Sequence, residues 1–462
     1  MTGLSRFFRD PERATIRKNV RSMALPAVGE QLLNTFVGLT NTFLVGNLSA
    51  EAAAILGYNS TSAIAGIGLG NQIVMLTMIL FMAVSVGSTA LIARARGARD
   101  MDEANRVLRQ SMLIGGAMGI LASLLGVFFA RPMLSILGPS EDVLQLATTY
   151  LQIVSSTFLF ASLLFIGTAA LRGVGDTRTP LYIMLGVNAV NILLSWLLVN
   201  GQFGLPVLGM TGVSIAAAIA RGGGGLFLLA LLVRGRSNLQ LSLNFKPDVP
   251  LLKRIINIGL PSAGEQVVFQ GAMIIFVRFI TGLGTVAYAA HNIVIAIDSF
   301  SFLPGLGYAT AATALVGQSL GAKKPEEAES NGYEALWQSM IFMSTIGIIM
   351  FLFPVQILSF FTNDQAVIDA ATPILRLVGL RQPFMATNFV LSGGLRGAGD
   401  TRWPLYTKLI STWGIRMPLT PLFLWFGWGL FGAWIAMSLD LLSQSILAWW
   451  RYQKGAWKTL KV

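Results

Sequence analysis

The chain is 462 residues long, with 54% of them apolar, only 12% charged and a net charge of +12. A soluble domain carries about 25% charged residues, so this much apolar surface calls for a bilayer as its solvent. The absence of cysteine and the single histidine exclude disulfides, thiolate chemistry and a histidine metal cluster.

A spanning helix needs about 20 mostly apolar residues, and the apolar runs here are long and do not alternate, which favours helices over a barrel. Residues 1–21 are basic and lack a separate apolar core and cleavage site, so they read as a cytoplasmic lead-in rather than a signal peptide. Six spans follow near 22–46, 55–93, 103–130, 142–171, 177–200 and 207–233, forming a first lobe over 22–233. A linker over 234–250 leads to a second lobe over 251–450, with spans near 251–279, 283–318, 327–355, 366–395, 402–426 and 428–450, and a basic tail over 451–462. The spans near 55–93 and 283–318 are longer than a bilayer needs and are expected to bend or to extend beyond it.

The loops explain the positive charge. Lysine and arginine gather on the cytoplasmic side of membrane proteins. One side collects the basic N-terminus, Arg94, Arg96, Arg99, Arg106 and Arg109, Arg172 and Arg178, the linker, Lys323 and Lys324, Arg396 and Arg402, and the C-terminal tail; the opposite loops carry essentially Arg131 alone. Both termini are therefore expected in the cytoplasm, with the protein in a cytoplasmic-type cell membrane.

An internal repeat is the second strong signal. Leu171-Arg-Gly-Val-Gly-Asp-Thr-Arg-Thr-Pro-Leu-Tyr182 returns as Leu395-Arg-Gly-Ala-Gly-Asp-Thr-Arg-Trp-Pro-Leu-Tyr406. Gly97-Ala98 returns as Gly321-Ala322, and Leu25-Pro-Ala-Val-Gly-Glu-Gln31 as Leu260-Pro-Ser-Ala-Gly-Glu-Gln266. Six spans per half give both halves one orientation, a parallel repeat with a site expected between two lobes near the midplane and alternating access by rocking. The fold class expected is thus an all-α membrane protein of about twelve helices in two six-helix lobes, and the function secondary transport.

These motifs, with LVGNLSAEAAAILG over 44–57, AAHNIVIAIDSFSFLPGLGYATAATALVGQSLGA over 289–322 and GLFGAWIAM over 429–437, resemble the multidrug and toxic compound extrusion (MATE) family over essentially the whole chain. The resemblance implies export of amphipathic, often cationic, organic compounds in exchange for protons or sodium. It also implies a departure: positions at which members carry coupling acids align here with Asn41, Ser195, Phe269 and Met385.

A charge inside a span costs about 2.5–3.5 kcal/mol or more, so it marks a cavity or a partner. Glu30 and Glu265 are repeat equivalents, each four residues after a proline, Pro26 or Pro261. Either could exchange a proton with substrate, or simply anchor a helix end; Glu265 leads as the coupling residue because His291 and Asp298 lie in the same half. His291 and Asp298 are seven residues apart, on one helix face; a helix–helix hydrogen bond is the plainer role for the histidine. For Asp440 a structural bond shared with Ser443 leads. Asn34, Asn41 and Asn191 form a candidate substrate or ion cluster in the first lobe, or a helix-packing device. Asp176 and Asp400 in the duplicated loop, and Asp100 with Glu103, read as helix caps; Gly222–Gly225 reads as close packing or a flexible point.

No nucleotide-binding loop is present, which argues against ATP-driven transport, and no nucleophile–histidine arrangement argues for an enzyme. No cofactor, metal or nucleic acid is expected; the partners are a small organic substrate, H+ or Na+ and the lipid bilayer, with the chain acting as a monomer. The rivals are a lipid-linked oligosaccharide flippase, kept open by Arg376 and Arg381, and a non-transporting membrane scaffold, which would not explain the repeat.

Overall fold

The computed structural model describes residues 11–48, 54–242, 244 and 246–460. Arg6, Arg9, Lys461 and part of the 44–57 motif lie outside the described residues. The apolar runs become twelve helical passages: α1 (Pro11–Gly46), α2 (Ser60–Gly97), α3 (Met101–Phe128), α4 (Glu141–Ser155 with Phe158–Gly173), α5 (Arg178–Val199), α6 (Gly209–Arg234), α7 (Val249–Thr281), α8 (Thr285–Gly321), α9 (Pro325–Leu352), α10 (Gln365–Gly397), α11 (Arg402–Ser411 continuing to Trp425) and α12 (Gly429–Lys454). Taking the bent α4 as one, nine are long and apolar enough to cross a membrane among the described residues. The others, α1 and α10, are long but more polar, and α11 is interrupted. The expected all-α class with twelve helices holds.

The repeat extends to element boundaries. Met101–Phe128 becomes Pro325–Leu352, the short helix Ala130–Ser135 becomes Pro354–Ser359, and Glu141 and Gly173 become Gln365 and Gly397, all 224 residues apart. Gly209–Arg234 and Gly429–Lys454 are 220 apart. Within this frame the halves differ in two places. In the first, α4 bends by 57° at Ser156 and Thr157, where the Ser156 hydroxyl donates to Ile153 O at 2.7 Å and Thr157 to Val154 O at 3.1 Å; hydroxyls that bond their own helix compete with its ladder. In the second, α11 widens into a π turn over Thr412–Arg416.

The long spans run as single helices: α2 has 38 residues and α8 has 37. At 1.5 Å per residue each is about 55 Å long, so they extend beyond the hydrocarbon core. The first helix is already formed at Pro11, the first described residue, ahead of the expected 22, with Arg17, Lys18 and Arg21 within it.

Contacts divide the chain into two units, one of residues 29–92 and 100–259, the other of residues up to 28, 93–99 and 260 onward. In the first, Val45, Ile67, Tyr150, Leu151, Phe158 and Met210 belong to one buried apolar core. Gly225 lies against the Phe160 carbonyl and Gly224 against Val187, so these two serve close packing, while Gly222 and Gly223 have room for a side chain. In the second unit, Phe276, Val294, Ile374, Leu375, Val378 and Trp434 form the main core.

The duplicated loop is a helix stop. Asp176 N–H donates to Leu171 O at 2.9 Å and Asp400 N–H to Leu395 O at 2.8 Å, with Gly175 and Gly399 at φ +93° and +82°, the left-handed conformation that glycine adopts without strain at this position. Asp100 caps α3 by accepting from Glu103 N–H at 2.9 Å. Asp176 caps α5 through Thr179 N–H at 2.9 Å. Asp400, expected to do the same, does not: its carboxylate takes Arg451 Nε at 2.8 Å, whose guanidinium lies over Trp403. Asp176 instead also accepts from Ser237 of the linker and lies 3.9 Å from Arg236. Burial pushes the Asp176 carboxyl up, but the bonds from Ser237 and Thr179 and the Arg236 charge outweigh it and hold it below the usual carboxylate range.

Candidate functional site

The two Pro–Glu repeats place their acids against the two repeat arginines. Arg172 Nη1 donates to Glu30 Oε1 at 2.6 Å in one unit. Arg396 Nη2 reaches both Glu265 oxygens at 3.0 and 2.8 Å in the other. Each candidate acid is therefore neutralised by the arginine of its own repeat.

The second half carries a further charged cluster, drawn from four helices. Asp298 of α8 accepts from Arg381 of α10, and also from Gln382 Nε2 and Ser301 Oγ at 3.2 Å each. Asp440 of α12 accepts from Arg416 of α11 at 2.7 Å, from Gln444 Nε2 at 2.6 Å and from Thr412 Oγ1 at 3.3 Å. All four charged residues are at most 5% exposed. Arg416 and Thr412 reach Asp440 from the π turn, a kind of irregularity that recurs at functional sites. At the repeat offsets, Asp298, Arg381, Arg416 and Asp440 correspond to Val74, Thr157, Ile192 and Ala220. The cluster is thus absent from the shared scaffold. Four charges in spans are tolerable only because they pair.

His291, 1% exposed, sits between Phe276 and Trp434, with ring centroids at 5.8 and 5.5 Å. Arg416 lies over the same Phe276 ring and Arg381 over the same Trp434 ring. The structure thus places His291 in an aromatic stack that it shares with two guanidinium groups. Ser443 bonds Ser411 at 2.9 Å rather than Asp440; Gln444, one full turn from Asp440, takes that place. Lys408 of α11 donates to Gln444 Oε1 at 3.2 Å and lies over Phe269 at 4.8 Å. Arg376 is exposed.

In the first half, Ser195 Oγ donates to Asn41 Oδ1 at 3.3 Å. Asn191 is buried one turn before Ser195 with its Oδ1 unpartnered, and Asn188 is buried one turn before that with both amide atoms unpartnered. The three form one polar face of α5 at helical spacing. Asn34 is exposed and is not among their partners. In the sequence the amide spacing of three and four marks Asn188, while Lys408 and Arg416 read as ordinary basic residues of a short apolar stretch.

The arrangement offers four arginine-paired carboxylates, two matched between the halves and two confined to the second, and no nucleophile beside a base among the described residues. Residues 26–197 and 261–422 match the MatE family. The chain is 32% identical to "Probable multidrug resistance protein NorM" of Thermotoga maritima, over 96% of this chain and 93% of that protein. It is 28% identical to "Multidrug resistance protein NorM" of Burkholderia vietnamiensis, over 93% and 92%, and 28% identical to an uncharacterised transporter, YisQ, of Bacillus subtilis, over 94% of each. Among solved structures, a MATE protein in a bent conformation superposes with a TM-score of 0.86 at 20% identity, covering 96% of this chain and 97% of that one. An outward-facing multidrug resistance MATE transporter gives 0.86 at 22%, with the same coverage. The chain belongs to the MATE family of membrane transporters.

Proposed function

We propose that the chain exports amphipathic organic compounds across a cytoplasmic-type membrane in exchange for protons, with both termini on the basic, cytoplasmic side. The observation that carries this is the buried Asp298–Arg381 and Asp440–Arg416 double pair, present in the second half and replaced by uncharged residues in the first. A charged device that the fold does not require, built around a π turn, is what a coupling site needs. Asp298 and Asp440 each already receive two or more donors, so a sodium ion would have to displace them, whereas a proton needs one oxygen and frees one arginine. Glu265 and Glu30, matched in both halves, serve the closure of each half near its repeat loop. The relatives described as multidrug resistance proteins supply the substrate class. Lipid-linked oligosaccharide flipping draws less support, since one of its two arginines is exposed and the other is held by Asp298. Reconstituted vesicles with an imposed proton or sodium gradient and ethidium as cargo test the reading. Gradient-driven movement under protons, lost in Asp298→Asn, is expected; movement that is equal with and without either gradient would defeat it.

A further inference from the structure

The charges inside the second half do not balance. Each of its buried or half-buried acids already has a basic partner: Glu265 with Arg396, Asp298 with Arg381, Asp440 with Arg416, Asp400 with Arg451, Glu329 with Lys458 and Glu334 with Arg17. Lys408 is left over. No carboxylate among the described residues lies within 4 Å of it, though Glu265 and Asp440, each already held by an arginine, act on it from further off, and its Nζ meets a neutral amide, Gln444, and the face of Phe269. An ammonium carries three donors, and one of them is used. The same region has a surplus of N–H groups. Arg416, 4% exposed, has Nε and Nη1 unpartnered, and Arg381 Nε, Arg396 Nε and Trp434 Nε1 are buried without acceptors as well. The opposite kind of orphan is scarcer there, the clear case being Gln382 Oε1. Lys408 is no requirement of the helix it sits on, because its repeat equivalent in α5 is Met184.

Resting on the exporter reading, we propose that the second half holds its cargo by an anionic group, a carboxylate, sulfonate or phosphate, seated on Lys408. An unpaired positive charge with an excess of donors is complementary to an acceptor-rich anion. Phe269 beside the ammonium supplies an apolar face for the body of the same molecule. A cargo carrying such a group is held on the second half, while a matched compound without it loses that contact.

Rhodamine B, which has a free carboxylate, and its ethyl ester, which has none, form a matched pair of probes. Binding of each to the purified full chain in detergent is read by fluorescence anisotropy, with no gradient needed. The wild-type chain is expected to prefer rhodamine B over the ester by about tenfold, the scale of one charge-assisted hydrogen bond. That ratio should collapse in Lys408→Met, which takes the first half's own residue, and persist in Lys408→Arg; melting temperatures report whether each variant is folded. Equal binding of the two dyes by wild type overturns the proposal even if Lys408→Met fails to fold, and so does an unchanged ratio in a folded Lys408→Met. A second arm uses phosphatidylcholine vesicles with and without phosphatidylglycerol. A preference that disappears when the anionic lipid is added assigns the site to a lipid headgroup and overturns the cargo assignment; a preference unaffected by the lipid supports it. Failure of both dyes to move under any gradient, with the binding ratio intact, would count against the exporter reading alone.

Discussion

Arg396 holds Glu265 with one nitrogen on both carboxylate oxygens, at 3.0 and 2.8 Å. One repeat earlier, Arg172 holds Glu30 at 2.6 Å. The arginine comes from the duplicated loop motif and the acid from the duplicated Pro–Glu segment, so two motifs far apart in sequence are one structural device in each half. Removing one partner leaves the other charge uncompensated, which is costlier than removing both. Glu265→Gln and Arg396→Gln are each expected to lower the melting temperature, and the double variant to recover part of the loss, with a coupling of about 1–3 kcal/mol. Additive losses in a thermal-shift cycle would show that the pair contributes nothing.

The Asp176 carboxyl, held below its usual range, gives a pH signature outside the membrane. A group whose folded value is depressed adds stability that is fully present above the unfolded value, about 3.9, and is lost as pH falls through the folded value. Asp176→Asn should therefore melt below wild type by a constant margin from about pH 5 to pH 8, with the margin shrinking below about pH 4. A margin that widened in acid would mean the carboxyl is not stabilised in its charged form.

His291 shares its two rings with two guanidinium groups. His291→Phe keeps the aromatic stack and removes the titratable nitrogen. Transport measured against pH should keep its profile in this variant. A shift of the profile's midpoint would make the histidine the proton carrier instead.

Topology is open to thiol labelling because the chain has no native cysteine. Gly201 is a poor site, since it stands at φ +68° close to Val207. Phe203, 86% exposed in the same loop, is a better one. Phe203→Cys should react with an impermeant maleimide added outside whole cells, and labelling confined to inverted vesicles would reverse the assignment of sides.

The repeat made much of this architecture legible from sequence. An offset of 224 between the two copies of Leu-Arg-Gly-Xaa-Gly-Asp-Thr-Arg carries over to the ends of α9 and α10, because equal sequences meet equal helix-stop chemistry. The departures have two sources. The bend in α4 has no proline or glycine at it, whereas its straight counterpart α10 runs continuously through Pro373 and Pro383. The π turn in α11 does carry a signature, Gly414 inside it and Pro418 just after it, where α5 has Val190 and Leu194, and a proline there withdraws the N–H that the preceding turn would accept. Asp400 has the same local sequence as Asp176 and a different partner, because Arg451 arrives from α12. Asp298 stands out in the sequence for its depth in a span, but Arg381 and Arg416 meet their aspartates only in three dimensions, and Lys408 stands out only once those pairs are made.

The central claim is that the double ion pair of the second half couples transport to protons and is not needed for folding. The most direct measurement replaces Asp298→Val, Arg381→Thr, Arg416→Ile and Asp440→Ala together, giving the second half the residues of the first. The purified variant is reconstituted and dye accumulation followed with and without an imposed proton gradient. A folded variant that binds dye but shows the same accumulation with and without the gradient is the result predicted. A folded variant that still concentrates dye at the wild-type rate under the proton gradient would contradict it.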